Sequence, residues 1–191
     1  PTGSLAPLLG GGQTLYAGTY TIGGSATLDG ILTLDAQNDS NAVFILKIGG
    51  AFSSNAASQV ALINGAVACN VFWKVEGLVD LATNTSMKGN VIANNAAIIL
   101  NSGTTLEGRA LSTTGAVTIH NSTVRIPLGC GSAELTGPPA PALLSVACYT
   151  LFSANGQVSN TEITTILGDI GTNMGTTTGY QPEDVDGTIH T

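Results

Sequence analysis

The side chains that could do chemistry in this chain are few, and their spacing limits what they can do. Aligning a recurring seven-residue phrase places Thr27, Ser86, Thr105, Thr123 and Thr165 in one outward column, with Asp29, Lys88, Glu107, Arg125 and Leu167 in the next. Hydrolysis of a glycoside would need two carboxylates flanking the bond, one of them held protonated. Asp29 and Glu107 are the carboxylates this alignment puts on a shared face, and the Lys88 and Arg125 charges beside them predict surface ion pairs instead. His120 and His190 stand apart from other catalytic residue types. No Ser-His-Asp order, phosphate loop or calcium nonapeptide repeat occurs. Histidine or cysteine pairs at metal-ligand spacing are also missing, so neither a metal nor a cofactor is expected. The chemistry left is that of a surface: threonine methyls and hydroxyls stacked at the strand spacing of ~4.8 Å can order water over a stiff face.

Such a face needs a stiff scaffold, and the sequence supplies one by repeating itself. Between residues 78 and 126, Leu81, Thr85, Met87, Gly89 and Asn94 recur nineteen residues later as Leu100, Thr104, Leu106, Gly108 and Thr113. Ala97 and Leu100 recur again as Ala116 and Ile119. Equal spacing marks a solenoid, whose coils bury their apolar edges only by stacking on neighbours. Apolar alternation within a coil is that of a strand, and nineteen residues hold three short strands with corners. The phrase TTLEGRA (104–110) is matched by TSMKGNV (85–91), ATLDGIL (26–32) and TTILGDI (164–170), with STVRI (122–126) as a shorter variant. In each full phrase a glycine makes a corner that leaves no room for a Cβ. The expected fold is all-β, a three-sided β-solenoid.

Composition agrees. Charged residues are 9% and hydrophobic ones 43% of 191 residues, which excludes disorder and allows one well-filled domain. A net charge of −7, with Glu162, Asp169, Glu183, Asp184 and Asp186 near the carboxy terminus, argues against nucleic acid as a partner. No apolar run reaches the length of a membrane-spanning helix. Residues 1–12 read as a strap ended by three glycines, residues 35–41 as a polar turn, and residues 129–141 as a proline-rich connector. Strands are expected at 13–22, 26–34, 43–48, 59–63, 146–153 and 163–170. The segment VFWKVEG (71–77) alternates, but the pattern does not say whether Phe72 and Lys74 or Val71, Trp73 and Val75 face inward.

Three further features carry weaker signals. Cys130 and Cys148 flank the connector, and a disulfide between them would staple it; Cys69, in an apolar run, is expected as a buried thiol. Ile92 and Leu111 point outward from a third edge, as seats for a helix or a partner, while Asp80, Ile99 and Thr118 line a mixed remaining edge. Glycosylation-type triplets at Asn38, Asn84 and Asn121 are frequent by chance in so Asn- and Thr-rich a chain.

The phrases LDAQNDSNAVFILKIGGAFS (34–53), VALINGAVACNVFWKVEG (60–77) and TTLEGRALSTTGAVT (104–118) resemble the ice-binding proteins of bacteria and microbial eukaryotes. That resemblance implies a discontinuous right-handed β-helix with a long helix along one face, and a non-catalytic role outside the cell. It also implies ice as the ligand of a small-residue face, with Thr27, Ser86, Thr105, Thr123 and Thr165 as its contacts. YTLFSANGQVSNTEITTILGDIGTNMGTTTGY (149–180) and GTIH (187–190) resemble the amino-terminal part of such a domain, yet follow its carboxy-terminal part here. The order is therefore permuted, as if crossing a tandem-repeat junction, and the family's long helix is not among these residues. The expected organisation is 1–128 as main coils, 129–148 as connector and 149–191 as part of the same or the next β-helix. The alternative function is a structural link in an extracellular fibre or adhesin, added end to end through homotypic neighbours.

Overall fold

The computed structural model describes residues 2–127, 138 and 143–190. Every strand pair is parallel, and the chain visits three faces in a fixed order, as a three-sided β-helix must. The first face is built from Thr2–Ser4, Gly18–Ile22, Phe44–Ile48, Val71–Val75, the second halves of Ser86–Ala93 and Thr105–Ser112, then Tyr149–Ser153, Asp169–Thr172 and Ile189–His190. The second face is a separate eight-stranded sheet: Leu8–Gly10, Ala26–Asp29, Phe52–Ser54, Val79–Leu81, Ile98–Leu100, Val117–His120, Val158–Thr161 and Thr177–Thr178. The third face holds Gln13–Tyr16, Ile31–Asp35, Gln59–Ile63, the first halves of Ser86–Ala93 and Thr105–Ser112, then Thr123–Arg125, Thr165–Leu167 and Val185–Asp186. Among the described residues there is no α-helix, only short 3-10 turns at Ala68–Asn70, Leu144–Cys148 and Pro182–Asp184.

Inward side chains stack into columns that run the length of the coil. On the third face Met87, Leu106, Val124, Ile166 and Val185 follow one another in register. On the second face Val79, Ile98, Val117 and Val158 do the same. Most are fully buried, and each side chain of this size contributes about 1.5–3 kcal/mol on leaving water. Trp73 faces inward with Val71 and Val75, stacks on Phe52 at 5.2 Å, and donates its Nε1–H to the Lys88 carbonyl at 2.9 Å. Phe72 faces outward yet is only 5% exposed, because it packs with Val43, Ile45 and Leu143 in a second, smaller cluster. That double burial is why alternation alone could not orient the segment.

The glycine corner is real. Gly89 has φ +105°, and a Cβ there would lie 2.7 Å from both the Val71 carbonyl oxygen and its Cβ. It lets Ser86–Ala93 run from the third face to the first without a break. The strap at 1–12 departs from expectation by forming strands at Thr2–Ser4 and Leu8–Gly10. These short segments carry little strand signal of their own and are held by pairing to Thr19–Thr21 and Thr27–Asp29. Residues 144–148 form a 3-10 turn instead of a strand, with Leu144 at φ +49°. Residues 149–190 stack directly on the preceding coils: Leu151 pairs with Ala110, Val158 with Val117, and Thr165 with Thr123.

Candidate functional site

Among the described residues the candidate sites are the outer surfaces of the three faces. On the third face Ser86, Thr105, Thr123 and Thr165 stand opposite one another on successive strands, as the sequence column predicts. Lys88, Glu107, Arg125 and Leu167 form the neighbouring column. Glu107 accepts from Lys88 Nζ at 2.9 Å and from Arg125 Nη2 at 2.8 Å through a single carboxylate oxygen. Burial pushes the Glu107 carboxyl up, but hydrogen bonds and charge from Lys88 and Arg125 outweigh it and hold the group below the usual carboxylate range. This face is a salt-paired surface.

Thr27 does not belong to that column, a correction to the sequence alignment. It lies on the second face, opposite Leu8 and Ser53, and Asp29 is on the same strand. The phrase ATLDG matches the others letter for letter in kind. Its Gly30, at φ +67°, nonetheless turns the chain from second face to third, whereas Gly89 and Gly108 turn it from third to first. In the third-face column the place next to Ser86 is held by Gln59, and the one beyond by Ile31.

The second face carries a column the sequence analysis only partly found. Leu8, Thr27, Ser53, Asp80, Ile99, Thr118, Ser159 and Thr178 follow one another in register across all eight strands. The hydroxyls interlock: Thr27 Oγ1 and Ser53 Oγ lie 3.2 Å apart, and Ser159 Oγ donates to Thr118 Oγ1 at 3.4 Å. Asp80 is held by the Asn101 amide at 2.8 Å. Beside the column, His120 lies opposite Thr161, its Nδ1 hydrogen-bonded to the Thr161 hydroxyl. Lysine and arginine are absent from all eight strands. Ser53, Ser159, Thr161 and Thr178 escaped sequence reasoning because insertions at 36–43, 64–70 and 127–148 break the nineteen-residue count between coils.

The first face places Ile92 opposite Leu111, and Leu111 opposite Phe152. Leu143 and Val146 close over them, leaving an apolar groove of about 260 Å³. Leu111 is 6% exposed and Ile92 half-buried, so the seat is largely covered by the chain itself. Beside it the buried Arg109 donates from Nε to the Ala147 carbonyl and from Nη1 to Asn90 Oδ1, both at 2.9 Å. Asn90 passes the link on to the Cys69 and Val71 carbonyls. Burial lowers the Arg109 pKa, and the nearby Cys148 sulfur opposes that shift.

The cysteines are arranged differently from expectation. Cys148 is a free, exposed thiol, so the anticipated bridge from it to Cys130 is not made; Cys130 itself lies outside the described residues. Cys69 is disulfide-bonded instead of a buried thiol. The 3-10 turn explains its availability, since it buries Ala68 and Asn70 and leaves Cys69 between them half-exposed. His190 lies 3.6 Å from the Asp169 carboxylate and against the Tyr149 ring. Among the described residues no cluster of His, Cys, Asp or Glu could hold a metal ion.

Comparison with known proteins places this architecture. An ice-binding protein from Nostoc sp. (strain HG1) is 39% identical over 125 residues, covering 65% of this chain and 46% of that protein. Ice-binding protein 1 of Shewanella frigidimarina (strain NCIMB 400) is 37% identical over 122 residues, covering 63% of this chain and 14% of its own length. The crystal structure of an ice binding protein from an Antarctic Flavobacteriaceae bacterium superposes with a TM-score of 0.67 at 66% identity, covering 98% of this chain and 44% of that one. The chain thus spans less than half the length of these relatives. Residues 3–125 match the model of the ice-binding-like family, and the chain, a three-sided parallel β-helix with hydroxyl-bearing outer faces, belongs to that family.

Proposed function

We propose that this chain binds ice through the second face, in an extracellular setting and without catalysis. The observation that carries the reading is the unbroken outward column of that face. Five of its eight members (Thr27, Ser53, Thr118, Ser159 and Thr178) are hydroxyl residues in register on parallel strands. Strand pairing spaces them ~4.8 Å apart across the sheet, and the pleat repeats a side of the strand every ~6.6 Å along it. Threonine and serine offer donors and acceptors that rotate to suit an ordered water layer. Ammonium and carboxylate groups hold their own water strongly. The third face sets three such charges side by side in Lys88, Glu107 and Arg125, where the outward charges on the second-face strands are Asp29 and Asp80 with no cation, so the second face is the better match even though the third face's hydroxyl column is the one most visible in the sequence. The relatives are ice-binding proteins by name, which supports the ligand. The Cys69 disulfide supports an oxidising compartment.

Ice shaping and thermal hysteresis test this directly. Faceted crystals and a gap between melting and freezing points are expected; round discs and no gap at high protein concentration would overturn the proposal. A second reading, a link in an extracellular fibre, draws on the first and last described strands, Thr2–Ser4 and Ile189–His190, each pairing with one strand of this chain. Sedimentation velocity tests it: concentration-dependent growth of open-ended polymers is expected, and a single species across concentrations would exclude it.

A further inference from the structure

We propose that His120 makes ice binding by the second face pH-dependent, with binding lost as the imidazole gains a proton. This rests on the assignment of ice binding to that face. His120 is the last residue of Val117–His120, and its side chain points outward on the same side as Thr118, partly open to solvent. Its Nδ1 is paired with the Thr161 hydroxyl on the next coil. In the neutral ring that carries its proton on Nε2, Nδ1 accepts from the Thr161 hydroxyl, which then presents lone pairs to the surface; in the ring that carries it on Nδ1 the hydroxyl already accepts. In the imidazolium both ring nitrogens donate, so Thr161 must accept from Nδ1 and turn its O–H outward. Protonation sets a cation on a face whose strands hold no lysine or arginine, and from the Nε2–H ring it also reverses the hydrogen-bond sense of the Thr161 hydroxyl beside the column.

The groups around His120 allow this change. On the preceding coil the strand ends at Leu100, opposite Ile119, and the Asn101 that follows it commits its amide to the Asp80 carboxylate at 2.8 Å. On the following coil Thr161 is followed by the exposed Glu162. On its own coil the flanking residues are Thr118, in the column, and the exposed Asn121 at φ +38°. Asp80 and Glu162 are therefore the charged groups nearby, and the structure gives neither an ion pair to His120. Histidine in general is the side chain that changes charge between about pH 5 and 8, so the test spans that range.

The test is thermal hysteresis of the wild-type chain and of His120→Gln at about pH 8 and about pH 5.5, with circular dichroism confirming the fold at both. The readout is the ratio of activities at the two pH values, so a change in absolute activity of the variant does not matter. The wild type is expected to lose roughly threefold or more on acidification, and His120→Gln to show a ratio near one. His190, beside Asp169 on the first face, remains in the variant and serves as the control for other histidine titration. A flat wild-type profile, or the same fall in His120→Gln, overturns the proposal. Thr118→Tyr, measured at the higher pH, separates the two claims. If it leaves activity intact, the face assignment fails; if it abolishes activity while the wild-type profile is flat, only the role of His120 fails.

Discussion

Replacing Gly89 by alanine is the sharpest probe of the scaffold, because the structure gives both parts of its cost. The residue sits at φ +105°, where an L side chain is strained by about 1–3 kcal/mol. Its new Cβ would lie 2.7 Å from the Val71 carbonyl oxygen and Cβ, so a buried strand must shift, which costs about 1–3 kcal/mol more. The expected total is about 4 kcal/mol, and at ~2–4 °C per kcal/mol for a chain of this size the melting temperature should fall by roughly 8–16 °C. Gly11→Ala is the internal control. Gly11 also has positive φ, +61°, but a Cβ there meets nothing within 4 Å. Only the conformational cost of about 1 kcal/mol remains, a fall of roughly 2–4 °C. Circular dichroism melting of both variants decides. If Gly89→Ala melts no lower than Gly11→Ala, close approach of coils at this corner does not govern stability, and the packing argument is wrong.

Other perturbations follow from single contacts. Arg109→Met leaves Asn90 Oδ1 and the Ala147 carbonyl without their charged donor, and should cost about 3 kcal/mol in urea unfolding; a loss below about 1 kcal/mol would contradict it. Alkylation of the unreduced protein should label Cys148 and spare Cys69 until reductant is added, as peptide mass spectrometry would show; early labelling of Cys69 would be the contrary result. Glu107 has its folded-state pKa lowered, so its stabilisation is present above the ordinary glutamate range near ~4.3 and is lost as pH falls through the folded value. Glu107→Gln should therefore cost under about 1 kcal/mol at neutral pH, with the difference vanishing in strong acid, and a gap that widens in acid would refute the sign.

How far the sequence could be read depended on whether the coil count stayed constant. Between Thr85 and Ser112 it does, and the next coil is only one residue shorter, so the alignment found the third-face columns, the Lys88–Glu107–Arg125 pairing and the opposition of Ile92 and Leu111. Thr27 shows where a matching string fails: ATLDG and TTLEG share letters, but their glycines turn different corners, and only the order of strands around the coil tells them apart. Ser53 and Ser159 complete the second-face column from coils displaced by insertions, so no fixed period reaches them. Phe72 and Trp73 are both buried, one outside the coil and one inside, which erases the contrast that orients a strand. Cys69 was hidden for a related reason: its apolar neighbours suggested the interior, but a 3-10 turn sets it at a corner.

The measurement that bears most directly on the account is a paired comparison of Thr118→Tyr on the second face with Thr105→Tyr on the third, each assayed for thermal hysteresis and for melting by circular dichroism. Both side chains point outward, so both variants should keep the fold. Thr118→Tyr should abolish ice shaping, because one ring standing above the hydroxyl column prevents flush contact along it, while Thr105→Tyr should leave shaping intact. The reverse pattern, with activity lost at Thr105 and kept at Thr118, would contradict the assignment and move ice binding to the salt-paired face.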